Sequence, residues 1–230
     1  MRSDRRNARR GKTREAAALF RDRREAGERL AKALESLRGR PVVVLGIPRG
    51  GVEIGAVVAN ALDAELDVVI PRKVGAPGNP ELGLGAVAEG VQVLDDRLVR
   101  MLAVREDYLK REIEAQEEEI RRRSAAYRAD RPPLNLSGKV AVVVDDGVAT
   151  GGTAVAALRW AGAQGADKVV LAVPVAPKEA VKRLQREAND VHVLATPEPF
   201  YAVGQWYEDF PQVSDERVVE LLAGRAGEAQ

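Results

Sequence analysis

The chain of 230 residues contains no cysteine and a single histidine. Without cysteine there is no thiolate nucleophile, no Cys-ligated metal centre and no disulfide, a pattern that fits a reducing compartment. One histidine is too few for a His-rich metal site. His192, inside the alternating stretch Val191-His192-Val193-Leu194, reads as a packing or surface residue. No Gly-x-x-x-x-Gly-Lys-[Ser/Thr] loop occurs and no Gly-x-Gly-x-x-Gly follows a strand, which removes support for the commonest nucleoside triphosphate and dinucleotide sites. A Gly-x-Ser-x-Gly elbow is also missing, so a serine hydrolase would lack its nucleophile. No apolar run approaches the roughly 20 residues of a bilayer-spanning helix, and the N-terminus has no apolar signal core. The expectation is a soluble, cytoplasmic protein without membrane contact.

Charge is nearly balanced, with 36 Lys and Arg against 35 Asp and Glu, so nothing drives the whole molecule towards nucleic acid. Its distribution is uneven. Arg2, Arg5, Arg6, Arg9, Arg10, Lys12 and Arg14 crowd the first fifteen residues, and 1–18 reads as a disordered basic tail whose minor alternative is contact with RNA or another polyanion. The remainder, 19–225, is long enough and, in a chain 45% hydrophobic, apolar enough for one α/β domain.

Most of the functional information lies in Val-Ala-Val-Val-Val-Asp-Asp-Gly-Val-Ala-Thr-Gly-Gly-Thr at 140–153. The valine-rich run predicts a buried strand that stops at Asp145 and Asp146. A small-residue turn then opens onto an Ala-rich helix. A phosphate needs several converging main-chain N–H groups. Gly147, Val148, Ala149, Gly151 and Gly152 offer a backbone with little in its way, Thr150 and Thr153 add hydroxyls, and the helix adds its positive end. Two carboxylates would repel that anion, so they suit sugar hydroxyls, a hydrated cation or positive charge developing on carbon. The bland alternative is an ordinary strand-to-helix turn with one Asp capping the helix.

This dozen-residue pattern resembles the 5-phosphoribosyl 1-pyrophosphate (PRPP) binding motif of type I phosphoribosyltransferases. The resemblance implies that Asp145 and Asp146 face the ribose while Gly147 to Thr153 wrap its 5′-phosphate. A second strand, 42–47, ends in Pro48-Arg49-Gly50-Gly51 before a helical stretch at 52–62. Pro48 stiffens that loop, the glycines permit close backbone approach or positive φ, and Arg49 carries a fork of donors. In the family, a loop in this position receives the pyrophosphate. Arg72 and Lys73 follow a short strand at 66–71 and precede a run with Gly75, Pro77, Gly78, Asn79, Pro80, Gly83 and Gly85. That run is expected to be an irregular mobile flap, similar to the catalytic flap of adenine-type members; the alternative is a solvated strand end. Glu81 and Glu89, beside it, are candidate acid/base groups.

Nine aromatic residues occur in the chain, and Phe200, Tyr201, Trp206, Tyr207 and Phe210 fall within eleven positions. Such a cluster can stack a planar base, and 203–210 resembles the base-binding hood of purine members; equally it can plug the sheet edge. The order of elements predicts a parallel doubly wound sheet of the type I phosphoribosyltransferase kind: strands 42–47, 66–70, 140–144, 168–173 and 191–195, and helices 22–37, 52–62, 152–162 and 177–187. A hairpin about Gly90, a helical insertion at 95–131 and a hood segment at 197–225 complete it. Leu98, Met101, Leu102, Leu109, Ile113, Ile120 and Tyr127 give the insertion one apolar stripe. Its partner is the sheet, the substrate site or a second copy of the chain, which would make a homo-oligomer; the bland alternative is an ordinary amphipathic helix packed on its own domain. The expected function is transfer of phosphoribose from PRPP to a nitrogen nucleophile such as a nucleobase. Mg²⁺ is expected as cofactor, held by PRPP oxygens and water with no direct protein ligand. The alternatives are a non-catalytic PRPP sensor and a hydrolase or phosphotransfer enzyme of a related sugar phosphate.

Overall fold

The computed structural model describes residues 18–129 and 131–226, so most of the basic segment at the N-terminus lies outside the described residues. Five parallel strands form the central sheet: β1 (Val42–Gly46), β2 (Glu65–Val68), β6 (Val140–Val144), β7 (Lys168–Val175) and β8 (Asp190–Ala195), in the order β2-β1-β6-β7-β8. A smaller antiparallel sheet, β3 (Arg72–Ala76), β4 (Asn79–Ala88) and β5 (Val91–Leu94), is inserted after β2. The helices are α1 (Arg23–Ala33), α2 (Gly50–Leu62), α3 (Asp96–Met101), α4 (Glu106–Arg128), α5 (Gly152–Ala163), α6 (Lys178–Leu184) and α7 (Asp215–Ala226). None is long and apolar enough to cross a membrane.

The side-chain period of two sorts the valine runs onto two faces. Val42, Val44, Val140, Val142 and Val144 join the core under α1, α2 and α7, while Val43, Leu45, Ala141 and Val143 join the one under α5 and α6. Both faces are covered, which is why these strands read as unbroken apolar runs rather than alternating ones. In-register pairing of Gly46 with Val144 brings the C-terminal ends of β1 and β6 side by side, and the loops that follow them become neighbours.

The expected irregular flap is a β-ribbon. Gly78, at φ +72°, turns β3 into β4 beside Pro77, and the register shifts at Gly75. The glycines and prolines that suggested a loop sit at the turn, at the bulge and near the ribbon's tip, where a strand tolerates them. The hairpin about Gly90 forms as β4 and β5, with Glu89 and Gly90 both at positive φ. In the insertion, Ala103 at φ +48° separates α3 from α4 and leaves Met101 and Leu102 exposed instead of continuing the stripe. Ile113, Ile120 and Tyr127 are buried, on a helix that packs against β3, β4 and α7. The stripe's partner is thus within the chain.

Candidate active site

Two glycines let the strand ends close on each other. A Cβ on Gly50 would sit 1.8 Å from Asp146 Oδ2, and one on Gly51 would sit 2.5 Å from the Val144 carbonyl oxygen. Any side chain at either position would force α2 away from the acid pair. Gly151, at φ +83°, turns the second loop into α5. Among the described residues, no hydrogen-bond acceptor meets the main-chain N–H groups of Arg49, Gly50 and Gly51, or those of Ala149, Thr150, Gly151, Gly152 and Thr153. Gly147 and Val148 are buried beneath this second row, and the Val148 amide donates to Val175. Pro48 is joined to Arg49 by a cis peptide. Two rows of free donors, each at a helix N-terminus, flank the aspartates, an arrangement made for anions.

Asp145 and Asp146 are both half-buried. One oxygen of each is engaged: Asp145 Oδ1 accepts from the Asp146 amide at 2.8 Å, and Asp146 Oδ2 accepts from Arg23 Nε and Nη2, each at 2.9 Å. The other oxygens, Asp145 Oδ2 and Asp146 Oδ1, have no hydrogen-bond partner among the described residues. Burial and then the neighbouring Asp146 charge push the Asp145 carboxyl well above the usual range. Burial also raises Asp146, but the Arg23 guanidinium opposes it. Below them the Tyr207 hydroxyl donates to the Asp146 carbonyl oxygen at 2.6 Å, and burial raises its phenol.

Arg23 was not singled out from the sequence, and it is central. It opens α1, is only 7% exposed, and also donates through Nη1 to the Pro211 carbonyl at 2.7 Å while stacking 3.9 Å from the Phe210 ring. A signal existed: Arg23 continues the spacing of Ala26 and Leu30 along the apolar face of α1, where an arginine is out of place unless it has a buried partner.

The remaining candidates are distributed around this centre. Arg49 extends towards α7, with Nη1 3.9 Å from Asp215, which also accepts the Tyr127 hydroxyl at 2.5 Å. Burial and that carboxylate push the Tyr127 phenol up to about 12. Arg72 Nε donates to Gln116 Oε1 at 3.0 Å, and Lys73 Nζ donates to Glu81 at 3.1 Å, so both cations are engaged on the ribbon's side of the molecule. Glu89 accepts from Ser124 and Arg128 at 3.3 Å, a structural clasp between hairpin and α4 rather than a free acid. His192 lies on β8 with Nε2 3.4 Å from Asp190, on a strand that does not border the paired loops.

The aromatic cluster divides. Trp206 is 2% exposed with its Nε1 unpartnered, and Tyr207 packs between Phe20 and Phe210 at centroid distances of 5.5 and 4.9 Å. Both belong to the plug, not to an open stacking face. The plug is completed by the start of the described chain, where the Leu19 and Phe20 amides donate to the Trp206 carbonyl. Phe200 is half-buried 6.0 Å from Trp206, and Tyr201, 83% exposed, is the hood aromatic with an open ring.

The chain is similar to proteins of known sequence and structure. Residues 21–205 match the phosphoribosyl transferase domain family. A Mycobacterium tuberculosis protein, provisionally named a phosphoribosyl transferase, is 50% identical over 208 residues, covering 89% of this chain and 46% of its own. The chain therefore spans about half the length of the curated relatives it matches. The uracil phosphoribosyltransferase of a Nocardioides strain is 38% identical over 72 residues, 31% of this chain and 34% of its own. A crystal structure of a Thermus thermophilus protein is 48% identical, covers 90% of this chain and 98% of its own, and superposes with a TM-score of 0.76. With the family matched over residues 21–205, most of the chain, and a five-stranded parallel sheet at its centre, the chain belongs to the phosphoribosyl transferase family.

Proposed function

We propose that this protein transfers the 5-phosphoribosyl group of PRPP to a nitrogen nucleophile, a nucleobase or a close analogue, and releases pyrophosphate. The observation that carries the reading is the pair of free-amide rows on either side of two half-buried carboxylates, at the ends of adjacent parallel strands. In this reading Ala149 to Thr153 bind the 5′-phosphate over the buried Gly147 and Val148, and the main-chain amides of Arg49, Gly50 and Gly51, in a loop stiffened by Pro48, bind the departing pyrophosphate together with the Arg49 side chain. The bond from the anomeric carbon to pyrophosphate breaks ahead of the new bond to nitrogen, so positive charge grows on the ribose as it does in glycoside hydrolysis. The free oxygens of Asp145 and Asp146 stabilise that charge directly or through the ribose hydroxyls.

Arg72 and Lys73 would assist at the pyrophosphate by turning from Gln116 and Glu81, and the β3–β4 ribbon is the element whose closure would exclude water. A site with two half-buried carboxylates suits a divalent cation that would arrive with its donor, and Mg²⁺ would supply neutralisation of the leaving pyrophosphate without needing a direct protein ligand. Tyr201 is the hood residue best exposed to stack on an acceptor.

Pyrophosphate release from PRPP and Mg²⁺, measured alone and with uracil, adenine, hypoxanthine or guanine, tests the assignment. Release that depends on an acceptor is expected. Release without acceptor would make the protein a hydrolase, binding without turnover would make it a sensor, and absence of PRPP binding would remove the reading altogether.

A further inference from the structure

We propose that Arg23 is a positioning residue of the transferase site, fixing one oxygen of Asp146 so that the other stays turned to the ribose space, and making α1 part of the catalytic apparatus. The inference rests on the transferase reading above and adds a residue outside the strand-end loops. Arg23 Nε and Nη2 both reach Asp146 Oδ2 at 2.9 Å, which uses the planar fork on a single oxygen and leaves Oδ1 unpartnered. The guanidinium is itself held on three further sides, by the Pro211 carbonyl at 2.7 Å, the Phe210 ring at 3.9 Å and Glu53 of α2 at 3.8 Å. Nothing about this arrangement is loose. Gly50 completes it, because its hydrogen occupies the only space a side chain would need against Asp146 Oδ2 and Arg23 Nε.

The electrostatic consequence follows from which groups surround the pair. Asp146 is faced by Arg23 from α1 and by Asp145 from its own strand end, with the Tyr207 hydroxyl on its carbonyl oxygen. Glu53, which shares Arg23, is itself 3.9 Å from Arg217 of α7. Arg23 is thus the one cation in direct contact with the pair among the described residues. Two carboxylates this close and this buried do not both ionise readily without such a cation. With Arg23 in place Asp146 is the fixed anion, and any proton the pair retains resides on Asp145. Remove Arg23, and the pair binds that proton more tightly, so the ionised form needed at the ribose is reached only at higher pH.

The test uses the full chain. Arg23→Gln, Arg23→Lys and a control, Arg29→Gln, are compared with wild type in kcat, PRPP KM and the pH dependence of kcat, with circular dichroism and thermal unfolding reporting the fold. Arg29 docks the same helix, through the Phe20 ring and the Leu19 carbonyl, without touching the acids. Arg23→Gln is expected to lower kcat about 100-fold with PRPP KM changed only a few-fold, and to move the acid limb of the profile up by about one pH unit. Arg23→Lys should restore the position of the limb but only part of kcat, since an ammonium lacks the fork. Arg29→Gln should leave the limb in place.

A folded Arg23→Gln protein with wild-type kcat and limb would overturn the positioning role, as would a limb that moves equally in Arg29→Gln. Should Arg23→Gln not fold, Arg23→Lys decides, because a wild-type kcat without the fork also overturns it. Carboxyl ¹³C titration of the wild-type protein, with Asp146 assigned by its loss in Asp146→Asn, gives a readout free of turnover: Asp146 is expected to ionise below Asp145, and the reverse order overturns the proposal. Failure of the wild type to release pyrophosphate with any acceptor would instead strike the transferase reading, and is registered before any variant is made.

Discussion

Among the described residues, two buried arginines, Arg23 and Arg128, join helices to aspartates at strand ends, and the pairs differ in what they leave over. Arg128, the last residue of α4, meets Asp67 of β2 at 2.9 Å, and both side chains are nearly inaccessible. Every acceptor there is taken: Asp67 Oδ1 by Arg128 and the Val68 amide, Oδ2 by the Leu134 amide. Arg128 also donates to Ser124, Glu89 and the Val68 carbonyl. Arg23 and Asp146 make a pair of similar length, yet among the described residues Asp146 Oδ1 has no hydrogen-bond partner, and neither has Asp145 Oδ2. A saturated pair fixes where the insertion sits on the sheet. An unsaturated pair, held just as firmly, has bonding capacity left for a ligand.

The contrast is sharpest if each aspartate is replaced by asparagine. Asp146→Asn keeps an oxygen for the Arg23 fork but removes the charge, so turnover should fall by about 10³ or more; relief of the Asp145–Asp146 repulsion offsets the counter-charge lost to Arg23, so the unfolding midpoint should move much less than in Asp67→Asn. Retention of full activity would remove the role given to that carboxylate. Asp67→Asn should do the opposite: it leaves the buried Arg128 with only the longer contact to half-buried Glu89 as counter-charge and should cost about 3 kcal/mol of folding stability in urea titration, with kcat of the folded enzyme within about twofold of wild type. If Asp67→Asn lost turnover and kept its stability, the division between a structural and a functional pair would collapse. Smaller effects belong to the ribbon. Arg72→Ala together with Lys73→Ala should raise the PRPP KM about tenfold, since these cations contribute to pyrophosphate binding without setting the acid pair; an unchanged saturation curve would confine them to their present partners, Gln116 and Glu81.

How much of this was legible in the sequence depended on whether the signal was local. The strand at 140–144 and the turn into α5 were readable because a valine run, two acids and small residues specify strand, lip and cradle within fourteen positions. The other central strands and helices α2, α5 and α6 were found within two or three residues of their ends by the same kind of run. The ribbon was not, because its glycines and prolines mark bulge and turn within a regular ladder, and only the pairing partner distinguishes that from a loop. Helix α7 was absorbed into the hood, although Val218 and Leu222 carry its buried face. The deepest omission was of contacts between distant positions. Arg23 lies 123 residues from Asp146 and Arg128 lies 61 from Asp67, so each looked like one more surface charge in a chain with 36 basic residues. Similarly, an aromatic cluster specifies that something apolar is covered, but not whether the cover is a base or the N-terminal Phe20; the structure gives Trp206 and Tyr207 to the latter.

Tyr207 lets the two halves of the site be probed with the least disturbance. Its ring is fixed by Phe20 and Phe210, and its hydroxyl supplies a hydrogen bond to the carbonyl of Asp146. Tyr207→Phe preserves the ring contacts and removes only that donor, so the Asp146 carbonyl loses a partner in a place that water reaches poorly. The expected cost is about 1 kcal/mol of folding stability. Because Arg23 and Gly50 still define where the carboxylate lies, kcat should change by less than about threefold. Urea unfolding and steady-state kinetics on the same preparation would separate the two. A loss of kcat approaching that of Asp146→Asn, with stability intact, would mean that the phenol orients the acid, and that Asp146 is held from the hood as much as from α1.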